Sequence, residues 1–175
     1  MLTGHVALAL AARGARSSIP LWVLILASQL PDWADAAVCA TRLSPAVQGL
    51  YSHSIVATVT LATAAAVLAY TQSRDFTGAL LIGVLVMSHT LGDYVTGIKP
   101  TWSGGPTIGL HLYSRPLLDF LFEGVIILAA FLFYRRSFPP EIRNSGRVLA
   151  VPAMLLAIQA GADIVFALSP GLQKC

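Results

Sequence analysis

Four stretches of this chain, residues 54–71, 76–96, 116–134 and 148–168, are apolar over nearly the ~20 residues that a helix needs to cross a bilayer. Nothing else in the sequence limits the fold as tightly. A segment in hydrocarbon must satisfy its own backbone hydrogen bonds, and a helix does so internally. The rest of the composition agrees: 56% of residues are hydrophobic, only 11% are charged, and the mean hydropathy is +0.74. Soluble proteins average about 25% charged residues. The expected fold is an all-α, polytopic transmembrane helical bundle forming one integral membrane domain over residues 1–175.

The N-terminal part reads differently. Residues 6–12 are apolar but end at Arg13 and Arg16, and residues 21–30 end at Pro31-Asp32. Both runs are too short to cross upright, so two shorter N-terminal helices are expected, either as a thin hairpin or partly inside the bundle. The start lacks the basic region of a signal peptide, so the first run is expected to be retained. Residues 36–50, with Pro45 and Gly49, read as a loop. Residues 54–71 are rich in Ala and Thr; small side chains let backbones approach closely, which places this span inside the bundle. Cys39 and Cys175 form no metal-binding spacing and receive no role.

Alternating the segments across the membrane puts Arg13, Arg16, Arg74, Arg135, Arg136, Arg143 and Arg147 on one face and Arg42, Lys99, Arg115 and Lys174 on the other. Seven against four makes the first face cytoplasmic by the positive-inside rule. Topology therefore accounts for the net charge of +3, and a nucleic-acid partner is not expected. The partner is the lipid bilayer. All four histidines, His5, His53, His89 and His111, fall at the opposite, non-cytoplasmic face. Six of the eight acids join them: Asp32, Asp35, Asp93, Asp119, Glu123 and Asp163.

Several of these acids interrupt apolar segments, where ionisable groups are costly and read as functional. His89 and Asp93 are four apart, on one face of a helix, where they can share a metal ion or hydrogen-bond to each other. Asp32 and Asp35 follow Pro31 at i, i+3 and are either ligands or a solvated helix end. His53 opens the 54–71 span as a ligand at a helix mouth, beside Ser52, which reads as the cap of that helix. His5 alone suits an interfacial residue. Asp119, Glu123 and Asp163 are ligands, carboxylates that orient a histidine, or partners of Arg115. The candidates contain no cysteine, so the donor set is nitrogen and oxygen, suited to Zn²⁺, Mn²⁺ or Fe²⁺. A bound ion would lower the pKa of a water to about 7, with an aspartate, Asp32 or Asp93, taking the proton. A site at headgroup depth suits a phosphoester of a lipid or lipid-linked substrate. A transporter with an acidic ion path, or a scaffold with a structural ion, would also use such groups.

The sequence resembles a family of small bacterial inner-membrane proteins regarded as membrane-bound, metal-dependent hydrolases, with motifs similar to the zinc-dependent phospholipase C group. The marks are Gly4-His5, Leu30-Pro31-Asp32, Ser52-His53-Ser54 and Ser88-His89 with Asp93, in order along the chain. The resemblance implies a multi-pass protein of the bacterial inner membrane. It also implies a divalent metal held by His5, Asp32, His53, His89 and Asp93; Asp35 is a candidate ligand from its place after Pro31, not from the resemblance.

Overall fold

The computed structural model describes residues 1–41 and 49–168. Arg42, Pro45 and Gln48 of the expected loop, and Lys174 and Cys175 at the end, lie outside the described residues. Among the described residues seven α-helices run in order: α1 (Thr3–Ala15), α2 (Leu21–Ser28), α3 (Leu30–Ala40), α4 (Ile55–Ser73), α5 (Phe76–Thr96), α6 (Pro116–Tyr134) and α7 (Gly146–Leu168). A two-residue hairpin, β1 (Lys99–Pro100) antiparallel to β2 (Thr107–Ile108), lies between α5 and α6. Helices α4 to α7 are each long and apolar enough to cross a membrane, as the sequence leads one to expect.

The N-terminal part holds three short helices rather than two. Residues 30–40, half of them expected as loop, form α3, bent by 57° from α2. Pro31 explains both facts. It cannot continue a helix from the preceding turn, but its missing N–H and fixed φ suit the first turn of a new one.

Of the two arrangements open for the first run, the structure takes burial. Helix α1 packs on α6, α2, α5 and α7, with Ala7, Ala9 and Leu10 in the core. Its small residues permit this. A Cβ at Gly14 would overlap the Phe133 carbonyl of α6. Burying the first turn of α1 leaves its free N–H groups without water, so they need protein acceptors. Glu123 of α6 supplies them: its carboxylate accepts from Leu2 N at 3.0 Å and from Gly4 N at 2.8 Å. Gln159 of α7 accepts from Thr3 N and Thr3 Oγ1. An anion at a helix N-terminus also meets the positive end of the dipole.

The span expected inside the bundle is instead peripheral. Only 11% of the α4 window is buried. Its Ala62 and Ala66 lie against Gly83 of α5, which is the close approach that small residues allow, while Val56, Val59 and Val67 on the other side remain exposed. Ser54, not Ser52, caps α4 by accepting from Ala57 N. Small residues bring two helices together without requiring neighbours on every side.

The basic loops gather at one end of the bundle. Arg16, after α1, pairs with Asp75, before α5, at 2.6 Å. Asp75 also caps α5 by accepting from Gly78 N. The Gly78 N–H, followed by the Arg16 guanidinium, holds the Asp75 carboxyl below its usual range. A depressed carboxyl stabilises the fold above its unfolded pKa of about 3.9, and that contribution is lost as pH falls through the lower folded value.

Two outcomes follow for thermal unfolding in detergent. Asp75→Asn keeps a cap but loses the ion pair, so its midpoint lies below the parent's at neutral pH, and the gap closes on acidification below about pH 4. Glu123→Ala strands buried N–H groups and lowers stability by about 2–3 kcal/mol, whereas Glu123→Gln, which retains an acceptor, loses less.

Candidate metal centre

The site is built from four parts of the chain. His89 and Asp93 lie one turn apart on α5, both buried. His53 comes from the turn before α4. There Gly49, at φ 77°, reverses the chain and its carbonyl accepts from His53 N at 2.7 Å. Asp32 comes from the first turn of α3, placed by Pro31. His5 comes from α1.

Asp32, His53, His89 and Asp93 form a group with one ligand atom each, all within 4.8 Å of one another. His53 Nε2 stands 3.3 Å from His89 Nε2. Asp32 Oδ1 is 3.3 Å from His53 Nε2 and 3.4 Å from His89 Nε2. Asp93 Oδ2 is 3.1 Å and 3.7 Å from the same two nitrogens. Four donors placed tetrahedrally at zinc-ligand bond lengths are about 3.3 Å apart. The five separations just given lie close to that figure, so the group could hold such an ion.

The back of each imidazole fixes its tautomer. His89 Nδ1 lies 2.6 Å from the Ser28 carbonyl, which can only accept, so Nδ1 carries the proton. Ser52 Oγ donates to Asp35 Oδ1 at 2.8 Å and accepts from His53 Nδ1 at 2.8 Å. Both rings therefore turn an Nε2 lone pair toward the cage, the usual outer support of metal-bound histidine. Two lone pairs at 3.3 Å with two carboxylates beside them require a cation or a proton between them. Burial pushes the His53 pKa down, but the hydrogen bonds it donates to Asp32 and Asp93 outweigh that and raise the pKa above its ordinary value.

Asp93 uses its other oxygen differently. Oδ1 accepts from the Met1 nitrogen at 2.6 Å and from His5 Nε2 at 3.0 Å. The Met1 nitrogen also reaches Thr96 Oγ1 and Tyr113 OH. The His5 ring stacks on His89 at 3.6 Å. Gly92 makes room for these contacts, since a Cβ there would overlap Met1 Sδ.

Of the residues singled out from sequence, Asp32, His53, His89 and Asp93 come together around one point. His5 stands one hydrogen bond away on Asp93, and Asp35 stands behind Ser52. His111 is exposed and apart. Asp119, Glu123 and Asp163 form a second polar group, across the start of α1. Glu123 caps α1 there, and Gln159 Nε2 donates to Asp119 Oδ2 and Asp163 Oδ1. Lys99, counted only as a topological charge, lies 3.1 Å from Asp93 Oδ2. Ser52, read as a helix cap, orients His53. The sequence signal for Lys99 was its place just past the helix end that carries Asp93.

No curated protein and no solved structure matches the chain. Residues 1–161 match a family model described as YdjM inner membrane protein. That description gives a location and names no reaction. The match takes in α1 to α6 and most of α7, including every residue of the cage. The chain is therefore a multi-pass inner-membrane protein belonging to the YdjM family.

Proposed function

We propose that this protein is a metal-dependent hydrolase of the inner membrane, acting on a phosphoester or related bond of a lipid or lipid-linked substrate. The observation that carries the reading is the pair of Nε2 lone pairs, fixed from behind and facing each other beside two carboxylates. With nitrogen and oxygen donors at these spacings, the ion is zinc, with manganese or iron as alternatives. When bound, it would supply an activated water and polarise the scissile phosphoryl oxygen. His53 and His89 hold the ion as neutral ligands. Asp93 completes the cage, held in place through its other oxygen. Asp32 is the one ligand residue exposed to solvent, so it is the aspartate placed to take a proton from a water.

The surroundings support a substrate at headgroup depth. Trp33, beside Asp32, and Trp102, close to Lys99, are both exposed. Tryptophan concentrates where bilayer meets water. The excess of arginine at the other end supports a site on the non-cytoplasmic side.

Metal analysis of protein purified without chelators should return one divalent ion per chain. His89→Ala and Asp93→Ala should each abolish it, and a metal-free parent would end the proposal. Asp35→Ala, which frees Ser52 and hence His53, should weaken metal affinity about 10–100-fold without eliminating binding, as read by competition with a chromogenic chelator.

A further inference from the structure

We infer that Lys99 is an anion clamp at the open side of the cage, there to hold an oxyanion of a phosphate group. The inference rests on the metal-centre reading above and adds the chemistry of the ligand.

Among the described residues that touch the ligand atoms of the cage, Asp32 and Lys99 are the charged ones that reach solvent. The Asp32 side chain is 49% exposed and the Lys99 side chain 24%, whereas His5, His53, His89 and Asp93 are buried. A ligand approaching from outside thus meets Lys99 and Asp32 first. Lys99 is also held in place. Its strand pairs with β2, Leu110 N donates to the Tyr94 carbonyl at 3.0 Å, and Tyr94 OH donates to the Pro100 carbonyl at 3.0 Å. Gly109, at φ 151°, lets β2 close on α5, since a Cβ there would overlap the Gly97 carbonyl. The hairpin is thereby anchored to the helix that carries His89 and Asp93.

Electrostatics then identifies what Lys99 holds. Its Nζ lies on Asp93 Oδ2, the oxygen that faces both imidazoles. Asp93 is already compensated on Oδ1 by the Met1 nitrogen and His5. A second ammonium on Oδ2 would repel a divalent cation held by that same oxygen. An anion between ammonium and ion removes that conflict. A phosphate has the shape for it, with one oxygen toward the ion and another toward the lysine. A lysine ammonium is a compact point charge suited to phosphate. A neutral carboxylic ester or amide would leave the two cations facing each other.

The test loads purified protein with zinc, measures zinc content, and then titrates inorganic phosphate by calorimetry. In Lys99→Met, phosphate affinity should fall about 10–100-fold at unchanged zinc content, while Lys99→Arg should stay close to the parent. Lys99→Gln serves if Lys99→Met does not purify folded. Full zinc with parental phosphate affinity in the uncharged variants overturns the clamp alone. A parent that takes up no zinc overturns the metal centre and the clamp together. Nanodiscs containing phosphatidic acid separate the sources of the oxyanion. Competition with inorganic phosphate assigns Lys99 to a lipid headgroup and its absence to a soluble phosphate, and either result retains the clamp.

Discussion

A carboxylate buried in an apolar bundle must be compensated on every lone pair, and Asp93 is where this chain meets that demand. One oxygen gathers the Met1 nitrogen and His5, and the other faces His53, His89 and Lys99. These partners come from the chain start, α1, the turn before α4, α5 and the hairpin. A charge in low dielectric that lost its partners would cost several kcal/mol, so each of these segments is held to the end of α5. The position of α1 follows. It is buried because its first turn has to reach Asp93 on one side and Glu123 on the other.

The two polar groups at this end solve different problems with the same residue types. Around Glu123, acceptors meet the free N–H groups of a buried helix start, and the Gln159 amide bridges Asp119 and Asp163. Around His53 and His89, acceptors and lone pairs face one another, and each ring is braced from behind by a group that dictates its tautomer. A packing network pairs donors with acceptors. This one places acceptors together, the arrangement that a cation resolves. Lys99, on the solvent side, lies against the same Asp93 oxygen that faces both rings.

Much of this was legible in the residues. Apolar runs of membrane length specify helices because hydrocarbon offers no other backbone partner. The i, i+4 spacing of His89 and Asp93 fixes a shared face, and Pro31-Asp32 and Ser52-His53 mark element ends where ligands can converge. Less legible were features that depend on contacts between distant segments. Residues 30–40 read as a stop at Pro31 because a proline looks the same whether it ends one helix or starts the next. Ser52 read as a cap because its partner Asp35 is far away in sequence. Residues 54–71 read as central because small side chains report close approach to one neighbour and say nothing of how many there are.

By itself, then, the sequence determined the spans, their order, the end of the bundle at which the acids and imidazoles collect, and the identity of the donors. Those properties are local: they follow from hydropathy, helical period and side-chain chemistry. The tertiary structure decided which donors meet. It separated Glu123, Asp119 and Asp163 from the cage, set Asp35 behind Ser52, and brought Lys99 onto Asp93. Such choices depend on how the start of α1 wedges between α5 and α6, a matter of packing between elements that no single stretch of chain encodes.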